Sequence, residues 1–334
     1  MNEATRIDVP PELVAAMGGA PPTPEQWAAI SMPLEPYVLV AGAGSGKTSV
    51  MAARVVYLAL VALGRIPADH QGALPGNVLA LTFTVKATEL LRRRVRAALA
   101  TVDLDEGEEP EILNYHGFAA QVLNRYGMLA GIEPGQRVLS EAQRVDLARR
   151  VLDQMAFHRV KTEWQPSVVD KILKLDAQAQ HHLVDPDAIV AFNTERLEAL
   201  KGHKSDRAFA AASERIELAE AVKVFRRLKR DLGVIDFGDQ IELAMRVAVE
   251  HPEVGRDYRD RFGAVLLDEY QDTDVAQARL MEATAMAKRD SVSWGSRVSA
   301  WGRSMGLVWT TMRGLQCVRR LIVDRQSGDA GMSC

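Results

Sequence analysis

Cysteine is nearly absent: Cys317 and Cys334 are the only two in 334 residues, both near the end of the sequence. That excludes a disulfide framework and suggests a reducing compartment, so a cytoplasmic protein is expected. Long apolar runs are missing as well. The stretch 55–63 is far short of the roughly 20 residues a bilayer-spanning helix needs, and no secretory leader opens the sequence. No membrane contact is expected. Neither sign of charge dominates, with a net charge of −3, so any contact with nucleic acid must be a local patch rather than a global field. Metal-ligand spacing is absent too. His181 and His182 are neighbours on a helical stretch, where adjacent side chains point about 100° apart, and His116 stands alone. A metal site made of protein ligands alone is therefore not expected. What remains is 47% hydrophobic and 25% charged, a globular composition with room for one large or two ordinary domains.

The most informative stretch begins at Tyr37, Val38, Leu39 and Val40, an apolar run suited to a buried parallel strand. It continues through Ala41, Gly42, Ala43, Gly44, Ser45, Gly46, Lys47 and Thr48 into a long apolar helical pattern. Glycines let the backbone curl so that consecutive N–H groups converge on a phosphate, and the following helix presents its positive end. Lys47 can reach the β- and γ-phosphates, and the Thr48 hydroxyl can ligate Mg²⁺. A strict phosphate loop has glycine at position 41, where this chain has Ala41, but Gly44 and Gly46 are in place.

A second apolar run, Val265, Leu266 and Leu267, ends in Asp268, Glu269, Tyr270, Gln271, Asp272 and Thr273. Paired carboxylates at a strand end suit nucleotide hydrolysis. One holds Mg²⁺ through its water shell and the next orients and deprotonates the attacking water. Either acid alone could cap a helix; together, behind a strand and in a chain with a phosphate loop, they favour the hydrolytic reading. That reading requires the acids at 268 and 269 to lie within a water-bridged reach of the Lys47 ammonium.

In chain order, residues 1–22 are rich in Pro, Gly and Ala and are expected to be a flexible lead-in. Thr23, Pro24, Glu25 and Gln26 form a capping box, and the Gln26 amide could equally read the hydrogen-bonding edges of adenine. Residues 77–84 read as a second buried strand ending in Thr82, Phe83 and Thr84, where ligands of an open parallel sheet collect. Lys86 then opens a helical segment with a basic cluster, Arg92, Arg93, Arg94 and Arg96. This is either a solvated face or a phosphate track beside a stacking aromatic; neither excludes the other. The stretch from Ile112 to Phe118, with Tyr115, His116 and Gly117, reads as another strand ending in an aromatic and hydroxyl-bearing turn. From 119 to 232 the strand signal gives way to helices, one of them opened by the capping box Ser140, Glu141, Ala142, Gln143.

The set Thr23 to Gln26, the loop 41–48, Thr82-Phe83-Thr84-Val85-Lys86-Ala87, Tyr115-His116-Gly117-Phe118, Asp236-Phe237-Gly238-Asp239 and Asp268 to Thr273 resembles superfamily 1 DNA helicases of the UvrD/Rep type, in order and in spacing, over about residues 20 to 285. Val85 stands where that family usually has Asn, and Tyr115 where it usually has Phe. The resemblance implies an α/β fold: a RecA-like P-loop NTPase with a parallel sheet flanked by helices and an all-helical inserted subdomain. The first RecA-like domain would comprise 23–118 and 233–285, and the insertion 119–232. It further implies ATP and Mg²⁺ as cofactors, with Gln26 reading adenine and residues 41–48 cradling phosphate. Thr48 and Asp268 would serve the metal, Glu269 would be the general base, and Gln271 would couple the γ-phosphate to DNA. Thr82, Phe83, Thr84, Lys86, Tyr115 and His116 would line single-stranded DNA, at junctions with duplex, during 3′ to 5′ translocation.

After about residue 281 the match dissolves, and the second RecA-like domain that would supply charge-stabilising arginines is not found. Residues 291–334 hold six arginines, no lysine and two acids, with three of the five tryptophans. Lacking strand or helix periodicity apart from a short apolar patch at 321–323, residues 286–334 are expected to be foreign to the fold, the product of a frameshift or gene decay; the other reading is a basic Trp/Arg arm for nucleic acid. Two functions follow as expectations. One is the N-terminal motor half of a helicase, with any protein partner that completes it unknown. The other is a non-enzymatic module that holds ATP and single-stranded DNA without unwinding. A small-molecule phosphotransferase leaves the acidic set after Leu267 unexplained.

Overall fold

A computed structural model describes residues 9–34, 37–39, 44–100, 102, 104, 109–201, 207–285 and 307–310. The chain divides into two units. One comprises Met1–Phe118, His251–Thr273 and Met281–Cys334; the other comprises Ala119–Glu250 and Asp274–Leu280. In chain order the elements are α1 (Pro11–Ala16), α2 (Pro24–Ile30), β1 (Tyr37–Leu39), α3 (Lys47–Ala62), β2 (Val78–Thr82), α4 (Val85–Leu99), β3 (Glu111–Asn114) and α5 (Tyr115–Tyr126). The helical unit follows with β4 (Arg137–Val138), α6 (Glu141–Gln154), α7 (Gln165–His182), α8 (Pro186–Ala199), α9 (Arg207–Asp231), β5 (Val234–Ile235) and α10 (Phe237–Glu250). Last come α11 (Pro252–Arg261), β6 (Ala264–Asp268), α12 (Val275–Ala285) and β7 (Leu307–Thr310). Among the described residues no helix is long and apolar enough to cross a membrane.

The first unit is a five-stranded sheet in the order β1-β7-β6-β2-β3. β2 pairs in parallel with both β3 and β6, and every residue of β2 and of β6 is buried. Strands covered on both faces read as unbroken apolar runs, which is why these two were legible. β7 runs antiparallel to both of its neighbours, so β1, β6, β2 and β3 share one direction and their carboxyl ends share one edge. α3 is buried along residues 50–60 and forms the centre of the core with β2 and β6. This is the RecA-like P-loop architecture.

Four expectations need correction. The stretch expected to be a flexible lead-in contains α1, whose Leu13 and Ala16 are fully buried in the core; they are three apart, hence on one helical face behind a proline at the first position. The strand expected to end in a turn stops at Asn114, and Tyr115 starts a helix rather than a turn, with the Asn114 side chain accepting the Gly117 N–H at 2.7 Å. Residues 307–310 form a strand within a segment read as aperiodic: four residues are too few to show a period, although Leu-Val-Trp-Thr suits a strand. Residues 233–250, assigned from sequence to the first domain, pack in the helical unit, where β5 pairs with β4.

That unit has its own core from α6, α7 and α9, including Val151, Ile172, Val222 and Phe225. The capping box at Ser140 forms as read, with Gln143 N–H donating to Ser140 Oγ and Ser140 N–H to Gln143 Oε1 at 3.0 Å. The Asp236-Phe237-Gly238-Asp239 motif builds a buried charge cluster. Each aspartate accepts the other's backbone N–H at 2.9 Å, and Lys229, 3% exposed, lies 2.9 Å from Asp236 and 2.7 Å from Asp239. Burial pushes the Asp239 carboxyl up to about 6. Burial acts on Asp236 too, but Lys229, the Asp239 N–H and Arg144 together hold it below the usual range. Gly238 is required here, since a Cβ would sit 2.0 Å from Gln180 Oε1, whose amide nitrogen donates to Asp239 at 2.8 Å.

Candidate active site

Of the phosphate loop, Ala41, Gly42 and Ala43 lie outside the described residues, while Gly44 through Thr48 lie within them. Gly44 and Gly46 adopt φ of 80° and 83°, the left-handed region that L side chains rarely enter, and Gly46 is the N-cap of α3. Among the described residues no side chain caps that helix, which leaves its first N–H groups for a ligand. Lys47 and Thr48 are its first two residues, both half-buried.

Gln26 reaches this turn from α2. Its Oε1 accepts the Thr23 N–H at 2.9 Å to complete the capping box, and its Nε2 donates to the Ser45 carbonyl at 3.1 Å. The amide thus serves as a cap and a brace on the loop at once, and a Cβ at Gly46 would press to 3.2 Å from Nε2. What fixes α2 beside α3 is a residue that sequence reasoning passed over. Arg54 is 1% exposed, and its guanidinium donates to the carbonyls of Ile30 (2.6 Å), Met32 and Pro33 (3.0 Å). The available signal was a lone arginine in an otherwise apolar helix.

Across the sheet edge, β6 delivers the acids. Lys47 Nζ stands 3.5 Å from Glu269 Oε1. Glu269 reaches it from a backbone at φ 48°, a conformation that costs a non-glycine residue about 1 kcal/mol. Asp268 is 4% exposed, and its buried Oδ1 has no hydrogen-bond partner among the described residues. Burial, followed by the adjacent Glu269 charge, pushes its carboxyl up to about 6, against the opposing pull of the Glu269 N–H and Lys47. A buried carboxylate oxygen without a donor among the described residues, within the electrostatic reach of Lys47, is hard-oxygen chemistry suited to Mg²⁺ and its water shell. The side chain of Gln271 lies outside the described residues; its backbone belongs to a single 3₁₀ turn, Tyr270–Asp272.

The raised Asp268 pKa has a sign that can be checked. In the nucleotide-free protein the carboxyl carries no charge-burial cost while protonated, and that cost grows as pH rises from about 4 through about 6. Asp268→Asn is expected to stabilise the protein by on the order of 2–3 kcal/mol at pH 8 and by little near pH 4. Urea titrations at both pH values test this; an equal gain at both would mean that charge burial is not the cause.

The residues expected to line DNA divide into two groups. Phe83 (43% exposed), Thr84 and Lys86 are exposed where β2 turns into α4, with Thr84 accepting the Ala87 N–H as N-cap, and His116 is half-buried. Thr82 and Tyr115 are instead buried. Thr82 bonds the Thr84 carbonyl and Thr88 Oγ1, and the Tyr115 hydroxyl lies 3.1 Å from Thr273 Oγ1. These two therefore back the surface rather than form it. The basic cluster on α4 is largely spent within the fold. Arg92 donates to the Ile112 carbonyl at 2.7 Å, Arg94 to Ser49 Oγ at 2.5 Å and Arg96 to Glu109 at 2.7 Å.

Residues 22–293 match the family described as UvrD/REP helicase N-terminal domain. The chain belongs to that family. Relatives of the UvrD/Rep type include the ATP-dependent DNA helicase UvrD1 of Mycobacterium tuberculosis, 29% identical over 269 residues, which are 80% of this chain and 30% of that protein. The ATP-dependent DNA helicase PcrA of Leuconostoc citreum is 26% identical over 256 residues (76% and 30%), and that of Staphylococcus aureus 26% over 267 residues (78% and 31%). The chain thus spans about 30% of the length of the curated relatives it matches. Val85, at the position where UvrD/Rep proteins usually have Asn, is 66% exposed at the start of α4, so no core packing depends on it.

Proposed function

We propose that this chain is the ATP- and single-strand-binding motor half of a 3′ to 5′ DNA helicase of the UvrD/Rep type, working in the cytoplasm on single strands and their junctions with duplex. The observation that carries the reading is the 3.5 Å approach of Lys47 to Glu269 beside a buried Asp268 at one sheet edge. In this reading the loop 41–48 and the N-terminus of α3 bind the phosphates, Lys47 neutralises the β- and γ-phosphates, and Gln26 lies beside the base. Thr48 and Asp268 hold Mg²⁺, which when bound supplies charge stabilisation to the transferring phosphoryl group. Glu269 orients a water and takes its proton, and Gln271 links this event to the strand. Phe83 offers a stacking face, with Thr84, Lys86 and His116 positioned for the backbone, above buried Thr82 and Tyr115.

ATP titration with a fluorescent analogue, with and without an oligothymidylate, tests the reading. Micromolar binding is expected, lost at least about tenfold in Lys47→Ala through removal of a charge-assisted phosphate contact. Undiminished binding in that variant would refute the site. A second reading is a module that holds ATP and single-stranded DNA without unwinding. A second RecA-like domain supplies arginines worth about 10³–10⁵ in turnover to related sites. This chain alone is accordingly expected to show little DNA-stimulated hydrolysis, and robust turnover abolished by Lys47→Ala would overturn that expectation.

A further inference from the structure

The Tyr115 hydroxyl makes a buried bond that a phenylalanine could not make. Tyr115 is 1% exposed and Thr273 8% exposed; their oxygens meet at 3.1 Å across 158 residues of sequence. Each end of the bond is anchored to a different part of the site. On one side, Tyr115 is the first residue after β3, whose Asn114 pairs in register with Thr82 of β2. Residues 115 and 116 and residues 83 to 86 therefore leave the sheet at the same edge. On the other side, Thr273 closes the turn that begins at Glu269. Asp272 N–H donates to the Glu269 carbonyl at 2.9 Å, and Thr273 N–H to the Tyr270 carbonyl at 3.2 Å. Glu269 opens that turn at φ 48°, held in a sparsely populated conformation by what surrounds it.

We propose that Tyr115 is a positioning residue that touches neither ligand and instead transmits strand occupancy at the Phe83–His116 edge, through Thr273, to the orientation of Glu269. The inference rests on the function proposed above and assigns this tyrosine a part in its coupling. A neutral hydrogen bond between two buried hydroxyls stabilises by about 0.5–1.5 kcal/mol and leaves a stranded polar group if one partner is removed. A bond of that size is enough to carry a measurable share of a typical coupling between two ligands.

The test is a linkage experiment on the full chain. Affinity for an oligothymidylate is measured with and without a non-hydrolysable ATP analogue and Mg²⁺, in the parent, Tyr115→Phe, Thr273→Val and Thr273→Ser. The parent is expected to show a mutual effect between the ligands. Tyr115→Phe and Thr273→Val should each reduce that factor by about three- to tenfold. Each ligand's separate affinity should stay within about twofold of the parent. The double variant should do no worse than either single one, and Thr273→Ser, which keeps the hydroxyl, should retain the coupling. Binding of both ligands with the coupling untouched in Tyr115→Phe, or absent in the parent, overturns this inference alone. Weakened oligonucleotide binding in Tyr115→Phe without nucleotide overturns it as well, by making Tyr115 a DNA contact. Failure of the parent to bind either ligand sinks the proposed function itself.

Discussion

Removing residues 286–334 is expected to lower the stability of the sheet-bearing unit by about 3–6 kcal/mol, a large part of what a domain of ordinary stability possesses. The reason is topological. Among the described residues β1 pairs with no strand except β7, and β7 joins it to β6 by pairing with both. Val308 is opposite Val38 on one side and Leu267 on the other, and Leu307 is opposite Leu39 and Asp268. Without β7 the phosphate-loop strand loses its ladder, and two strand flanks are left with unpaired backbone groups. Nucleotide affinity should fall with stability, since β1 leads into the loop and β6 into the acids. Urea denaturation and nucleotide titration of the shortened chain measure both effects. If the shortened chain proves as stable and binds as well, the segment is foreign to the fold, as its composition led us to expect.

Replacing Arg54 with methionine is expected to cost about 3–5 kcal/mol, although the substitution keeps an unbranched apolar stem in a buried helix. The carbonyls of Ile30, Met32 and Pro33 all end on this one guanidinium, and nothing in a methionine can donate to them. These three carbonyls belong to the end of α2 and the residues just after it, so the loss should also release Gln26 from the Ser45 carbonyl and weaken nucleotide binding. Arg54→Lys should recover part of the stability, because an ammonium donates but lacks the planar fork that reaches all three. Thermal and urea unfolding of the two variants, with nucleotide titration alongside, gives the comparison. A loss below about 1 kcal/mol in Arg54→Met would show that the carbonyls find other donors.

Much of the site was readable because its signals are local. Gly44 and Gly46 announce positive φ, Lys47 and Thr48 follow at a spacing that only a strand–loop–helix turn explains, and Asp268 and Glu269 end an unbroken apolar run. The capping boxes at Thr23 and Ser140 are local in the same sense, with four consecutive residues containing the whole interaction. Misreadings arose where a residue's role depends on a distant partner. Tyr115, placed by the resemblance among residues lining DNA, is 1% exposed, with its hydroxyl 3.1 Å from Thr273 Oγ1. The arginines of α4 read as a solvated face or a phosphate track, and spacing alone does not show that Arg92, Arg94 and Arg96 meet acceptors from 13 to 45 residues away.

The sequence alone determined the family and the α/β class, because those follow from residue type and short spacing. Tertiary structure decided three things that no spacing contains. It put β7 between β1 and β6, turned Gln26 into a brace on the loop, and closed the Lys47–Glu269 gap to 3.5 Å. Each depends on segments far apart in the chain being brought together, and only packing of the assembled sheet against α2 and α3 sets those distances.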